Sequence, residues 1–349
     1  MVPVKKTDIR SLNLEQLQQH FVAMNQPAYR AKQVYQWLWE KSARSFDEMS
    51  NLSKDLRERL KETCVINAVE VNNSQFSSDQ TIKNTFRLAD ANIVEGVLIP
   101  ADDRMTACVS SQVGCSLTCK FCATGYMDRK RNLNADEIYD QVVLIDQQAK
   151  KHYNAPLSNI VYMGMGEPLL NYANVLRSID RITSPDGLNM SYKRITVSTA
   201  GIAKMIRKLG DDQVKFNLAL SLHAANDRKR NEIMPINEQN SLPALADALK
   251  YYFAKTKNPV TYEYIVFNNF NDEIEDAAEL AKFCKHIPCK VNLIEYNPIA
   301  FADFKNAEGD KIDAFAAHLK AKGIITNIRR SRGKDIDAAC GQLAVKEQE

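Results

Sequence analysis

Apolar residues recur at helical spacing over 14–24, 30–40 and 52–63, which predicts a small helical unit across residues 1–75. The block Tyr35, Trp37, Leu38 and Trp39 holds both tryptophans of the chain, and it reads as the core of that unit rather than a binding surface. A hairpin follows, with strands over 81–88 and 93–99 about the turn Asp90-Ala91-Asn92. From Met105 the pattern changes. Short apolar runs over 105–109, 159–163, 194–198, 215–222, 260–266, 290–294 and 324–329 alternate with longer amphipathic stretches, among them 135–151, 172–180, 242–253, 276–284 and 312–322. The first of these helices opens on Asn134 with Glu137 three residues on, the spacing of a capping box. Strand–helix repetition of this kind predicts a parallel α/β sheet or barrel. Residues 345–349 read as a frayed tail.

With 349 residues, the chain has room for about two domains, or for one large barrel with an appendage. Its 45% hydrophobic and 26% charged residues exclude a disordered or collagen-like protein. The net charge of +3 is too small to mark a nucleic-acid binder, so any RNA contact must rest on local clusters. Two are present: Asp128-Arg129-Lys130-Arg131, and the run Arg329-Arg330-Ser331-Arg332-Gly333-Lys334. No apolar run approaches the roughly 18 residues that span a bilayer. The first residues, Met1-Val2-Pro3-Val4-Lys5-Lys6, lack the apolar stretch of a secretory signal. A cytosolic protein without membrane contact is expected.

Cysteine placement changes the picture. Of eight cysteines, Cys108, Cys115, Cys119 and Cys122 fall within fifteen residues. In a reducing compartment such a cluster points to metal binding or catalysis rather than a disulfide framework. Cys64, Cys284 and Cys289 are scattered and read as small buried hydrophobes, the default also for Cys340 among Ala338, Ala339 and Gly341. The spacing Cys115-x3-Cys119-x2-Cys122 offers three close ligands, where a structural zinc site takes four. His223 or Cys340 could complete a zinc site from a distance. A thioredoxin-like reading of Cys119-x-x-Cys122 leaves Cys115 without a role. Three thiolates best suit a [4Fe–4S] cluster with one iron left open.

That spacing resembles the signature of the radical S-adenosylmethionine (SAM) superfamily. Three longer motifs narrow the resemblance: Cys108-Val-Ser-Ser-Gln-Val-Gly-Cys115, Gly164-Met-Gly-Glu167-Pro168, and Asp335-Ile-Asp-Ala-Ala-Cys340-Gly-Gln-Leu343. In this order, over nearly the whole chain, they are similar to the RlmN/Cfr family of adenine methyltransferases, in particular its C2-methylating branch. The resemblance implies an open (β/α)6-type barrel over 105–330. It adds an accessory RNA-binding helical domain over 1–75, a hairpin linker over 76–104, and a C-terminal segment over 331–349.

It also implies roles. Cys115, Cys119 and Cys122 would hold the [4Fe–4S] cluster, whose open iron is chelated by SAM. Cys340 would take a methyl from one SAM, and a deoxyadenosyl radical from a second SAM would abstract hydrogen from that methyl. The carbon radical then adds to the base, and Cys108 releases the product by forming a disulfide with Cys340. Glu95, otherwise an acidic residue on the solvent face of an edge strand, would be a proton acceptor. Gly166, Glu167, Ser198, Ser221, Leu222, His223 and Asn297, at successive strand ends, would bind SAM. Each alone reads as a cap, a turn or a satisfied core residue, and a Gly-rich dinucleotide fingerprint is missing. The implied substrates are the peptidyl-transferase-centre adenosine of 23S ribosomal RNA and adenosine in transfer RNA. A low-potential, flavodoxin-like electron donor and a monomeric state complete the expectation. The competing readings are the C8-methylating branch, and a non-catalytic zinc or iron–sulfur RNA-binding module that consumes no SAM.

Overall fold

The computed structural model describes residues 6–101 and 103–345. Three helices lead, α1 (Leu14–Ala23), α2 (Tyr29–Trp39) and α3 (Lys54–Thr63). Their apolar faces bury Leu17 and Phe21, Val34, Leu38 and Trp39, and Leu56 and Leu60. The N-termini of α1 and α3 are capped by Asn13 and Ser53, whose side chains accept backbone N–H groups that the helix leaves unpaired.

Ten strands then build one sheet: β1 (Glu70–Phe76), β2 (Ile82–Arg87), β3 (Ile93–Ala101), β4 (Arg104–Cys108), β5 (Asn159–Tyr162), β6 (Ile195–Thr199), β7 (Asn217–Ser221), β8 (Val260–Val266), β9 (Cys289–Glu295) and β10 (Ile325–Arg329). Their order in space is their order in the chain. Strands β1 to β4 pair antiparallel, and β4 to β10 pair parallel. The helices between the parallel strands are α4 (Ala135–Tyr153), α5 (Tyr172–Thr183), α6 (Ala203–Asp211), α7 (Asp227–Ile233), α8 (Leu242–Thr256), α9 (Ile274–Phe283) and α10 (Gly309–Ala321). Six strand–helix units and a last strand result, as the alternating pattern predicts. β8 is buried at every position, as a strand covered on both faces must be.

Strand β1 has no counterpart among the elements expected from the sequence. Its segment Glu70-Val-Asn-Asn-Ser-Gln-Phe76 has no alternation to detect, because nearly all of it is exposed at the sheet edge. Helices α6 and α7 are likewise additions.

The helical unit is held to the sheet side through α4. Arg10, 5% exposed, places its guanidinium 2.7 Å from Asp140 and 3.2 Å from Asp136. The Trp39 ring meets Tyr139 edge-on at 5.2 Å, and the Tyr139 hydroxyl donates to the Trp39 carbonyl. Trp39 is a core residue; Trp37 is half-buried and donates to Asn51.

The sheet does not close. Past β10 the chain runs back as a strap across the opening towards the β1–β2 turn. Gly333 N–H donates to Asp79, and Asp335 accepts from the Ser77 hydroxyl at 2.5 Å and from Ser78 N–H at 3.0 Å. Val345, expected to begin a frayed tail, is half-buried and packed on the core; 346–349 and 1–5 lie outside the described residues. Among the described residues, no helix is long and apolar enough to cross a membrane.

Candidate active site

A cleft of about 160 Å³ opens at the C-terminal ends of β5 to β10, the end where this architecture gathers functional groups. Its far wall is the loop carrying Cys115, Cys119 and Cys122, all three of which line it. The loop is pinned by Lys120 N–H to the Ile233 carbonyl, and by Ala123 N–H to the Gly341 carbonyl of the strap. A Cβ on Gly125 would stand 2.7 Å from the Cys119 carbonyl, so only glycine lets the chain wrap this tightly round the second cysteine. Burial raises all three thiols, Cys115 to about 12; Cys115 and Cys119 also feel the charge of Cys122, and Cys122 that of Cys340.

Among the described residues, no three or more His, Cys, Asp and Glu donors stand at metal-binding spacing, and neither His223 nor Cys340 completes a four-donor zinc group. The donor set itself fits an iron–sulfur cluster. Three soft thiols face one space beside Leu117 and Phe121, and the Arg230 guanidinium supplies compensating positive charge at Cys119.

Opposite stands Glu167, just past β5 and 3% exposed. Its carboxylate accepts Leu169 N–H at 3.0 Å and Ala200 N–H at 2.8 Å, which fixes it at the mouth of β6. Burial nonetheless raises its pKa. Gly166 and Glu167 line the cleft with Ser198 and Ser221, whose hydroxyls lie 3.3 Å apart on neighbouring strands. His223 lines it too. Its Nδ1 accepts Ile265 N–H at 3.1 Å, which leaves the neutral ring with its proton on Nε2, and burial pushes its pKa down to about 3. Two expected contacts lie elsewhere. Leu222 is fully buried behind the cleft, its carbonyl accepting from Arg230. Asn297 sits under the strap and donates to the Cys340 carbonyl at 3.1 Å, while its own Oδ1 is buried without a partner.

Cys340 lies on the strap, open to solvent, and lines both this cleft and a smaller adjoining pocket. Cys108, the last residue of β4, lines that smaller pocket from the other side of the sheet opening. Burial and the nearby Cys340 raise the Cys108 thiol to about 12. The expected disulfide is not formed: Cys108 and Cys340 are free thiols, as are the other six cysteines. A bond implied only as the product of turnover has no reason to stand between turnovers, and the buried Cys108 thiol, its pKa raised, resists oxidation.

Glu95 is not on a solvent face. It is 3% exposed in β3, on the face it shares with Val97, whose register partner is Cys108. Its carboxylate lies 3.5 Å from Lys83 Nζ and accepts Ala344 N–H of the strap at 2.9 Å; burial raises its pKa.

Both basic runs are partly spent inside the molecule. Arg131 forks onto Glu137 at 2.8 Å and also meets Asp90. Arg330 and Lys334 both pair with Glu295, and Arg329 reaches into the cleft towards Glu263.

Sequence reasoning missed the groups that hold the site. Arg230, fully buried in α7, donates to the carbonyls of Leu222, Ala200 and Ser221 and so ties the ends of β6 and β7 together. Gln112 Oε1 accepts Glu167 N–H, and Lys83 is the buried cation facing Glu95. An arginine in the short polar segment Asp227-Arg-Lys-Arg-Asn-Glu-Ile233 carries no mark that separates it from its exposed neighbours.

Comparison with known proteins agrees with this geometry. Residues 7–66 match the family described as the ribosomal RNA large subunit methyltransferase N-terminal domain, and residues 109–281 match the radical SAM superfamily. The chain is 64% identical over 344 residues to a probable dual-specificity RNA methyltransferase RlmN of Cytophaga hutchinsonii, covering 99% of this chain and 94% of that one. To the protein of the same description from Flavobacterium psychrophilum it is 57% identical, covering 99% of both. A crystal structure of a radical SAM methyltransferase from Sphaerobacter thermophilus superposes with a TM-score of 0.91 at 38% identity, covering 97% of this chain and 99% of that one.

Proposed function

The chain belongs to the RlmN family of radical SAM RNA methyltransferases, and from that premise we propose that it methylates C2 of adenosine in 23S ribosomal RNA and in transfer RNA. The observation that carries the proposal is the meeting of Cys340 and Cys108. They come from the strap and from β4, 232 positions apart in sequence, yet line one pocket beside the three-cysteine loop.

Adenine C2 is an electron-poor carbon between two ring nitrogens and a weak nucleophile, so direct polar methylation faces a high barrier. An iron–sulfur cluster with SAM supplies, when bound, the one-electron chemistry that avoids it. Cys115, Cys119 and Cys122 are the residues to hold a [4Fe–4S] cluster. Gly166, Glu167, Ser198, Ser221 and His223 shape the pocket for SAM, two molecules of which serve each turnover. Glu167 and the neutral Nε2–H of His223 offer an acceptor and a donor to its polar groups. Leu222 and Asn297 act from behind the cleft and from beneath the strap.

Cys340 carries the methyl carbon to the base. Glu95, its proton affinity raised by burial, accepts the C2 proton of the protein–RNA adduct. Cys108 then attacks the Cys340 sulfur as a thiolate. The electron pair of the breaking sulfur–carbon bond stays with the methylene on the base, which takes a proton to become the methyl group, and the two sulfurs are left joined as a disulfide. External reductant restores them, and a flavodoxin-like donor fits the further electron demand.

The test uses anaerobically reconstituted protein, reductant, methyl-deuterated SAM and protein-free ribosomal RNA lacking the modification. Mass spectrometry of the digested nucleosides should reveal deuterated 2-methyladenosine that vanishes in Cys340→Ala. Formation of 8-methyladenosine instead would move the activity to the C8 branch, and SAM cleavage without either product would refute the RNA substrate.

A further inference from the structure

Among the exposed large apolar side chains of the described residues, two stack on each other. Tyr126, 47% exposed, and Phe301, 62% exposed, lie with ring centroids 5.1 Å apart and planes inclined by 28°. They belong to different segments. Tyr126 follows Thr124 and Gly125, which line the cleft, and its hydroxyl donates back to the Lys120 carbonyl within the cysteine loop. Phe301 stands in a turn closed between Ile299 and Ala302, past β9. That loop is tied to the strap at Cys340 and two residues past it. Asn297 donates to the Cys340 carbonyl, and the Pro298 carbonyl accepts from Gln342. The pair therefore sits on the rim of the cleft, between the loop of the three cysteines and the segment bearing Cys340.

The neighbouring aromatics behave differently. Phe267, Phe270, Tyr296 and Phe304 pack on one another in a buried cluster, whereas Phe301 is held out of it. The charges around the pair are mixed, with Lys120, Arg129 and Lys305 exposed alongside Asp128 and Asp303. The feature on offer is a ring face rather than a phosphate site.

We propose that Tyr126 and Phe301 form a stacking platform for the unpaired base next to the target adenosine in the substrate RNA. An adenine reaches a thiol on the wall of a cleft only when taken out of its stack, and the base beside it then loses a neighbour. A preformed aromatic stack at the rim replaces that neighbour, and it does so for any base because each presents a π face. The platform rests on the proposed reaction only in taking Cys340 as the destination of the target base.

Two measurements test it. In the first, an RNA hairpin substrate carries 2-aminopurine beside the target adenosine. Its fluorescence should be quenched when the holoenzyme binds, less so with Phe301→Ala or Tyr126→Ala, and again with Phe301→Trp. In the second, both alanine variants should raise KM for RNA about tenfold, as loss of one stacked base does, with kcat changed little and melting temperatures near that of the parent. Quenching and KM that are indifferent to both alanine variants would overturn the platform. So would unchanged KM with slower reduction by an electron-donor protein, which would assign the pair to a protein partner. Quenching that depends on Phe301 in a protein making no methyladenosine would keep the platform and sink the reaction.

Discussion

A methyl group placed on Gly166 would lie 2.5 Å from Gln112 Cβ and 2.8 Å from its Oε1, on a backbone at φ +96° that L side chains rarely adopt. That oxygen accepts the N–H of Glu167, so the clash is passed directly to the carboxylate lining the cleft. Gly166→Ala should cost about 2 kcal/mol of stability from backbone strain alone. It should also weaken SAM binding, measured by equilibrium dialysis, more than it lowers the urea midpoint. SAM binding at the parental level would show that Glu167 does not depend on this turn. His223 makes a second case. Its pKa in the folded protein is about 3, against an ordinary 6.5, so between these values the unfolded chain binds a proton that the folded one refuses. The stability this ring contributes is complete above pH 6.5 and is lost as pH falls towards 3. Asp136, raised to about 6, works in the opposite sense, losing stability as pH rises from about 4 to 6. His223→Asn keeps an acceptor for Ile265 N–H and tolerates the backbone at φ +54°. The difference in urea midpoint between parent and variant should therefore shrink from pH 7 to pH 5, and a difference that stays constant would contradict a buried, neutral His223.

At the scale of elements, the parallel strands were legible because burial on both faces leaves mostly apolar runs, as in Val260–Val266, broken only by Thr261 and Glu263. The capping box at the head of α4 was legible for a local reason, since Glu137 answers Asn134 within one turn. β1 was not, since an exposed edge strand needs no apolar pattern; nor was Arg230, whose partners come from Ala200, Ser221 and Leu222 on other elements. The cysteine loop announced itself through spacing, whereas the tie of Glu95 to Lys83 and to Ala344 spans strands and the strap and leaves no mark in the chain order. The basic run after the loop divides the same way. Arg131 is used internally against Glu137 and Asp90, while Arg129 and Lys130 are exposed. Arg131→Ala should lower stability by about 1–2 kcal/mol, less than a fully buried pair because the side chain is partly solvated, and leave the salt dependence of RNA binding alone. Lys130→Ala should instead reduce the slope of log K against log salt by about 0.7–0.9, the share of a single neutralised phosphate. Equal slopes for Lys130→Ala and the parent would remove this run from the RNA interface.

For the whole molecule, the open sheet sets a problem that the strap solves. Cys340 belongs to no strand or helix, so its position depends on what holds the chain on either side of it. Downstream, the Leu343 carbonyl accepts from Thr124 and Ala344 N–H reaches Glu95, while upstream Asp335 takes both Ser77 and Ser78 at the β1–β2 turn. The antiparallel hairpin is thus the far anchor of the segment that bears Cys340, which gives it a part in the chemistry although none of its turn residues lines the cleft. Asp335→Ala removes two hydrogen bonds well away from the cysteine loop. It should leave SAM binding near the parental value while lowering single-turnover methyladenosine formation about tenfold or more, because a small misplacement of a reacting group is costly. Asp335→Asn, which keeps one of the two acceptor oxygens, should fall between. A rate in Asp335→Ala equal to the parent's would mean that Asp335 has no part in positioning Cys340, and that the Gly333–Asp79 bond and the contacts of Cys340 and Leu343 suffice.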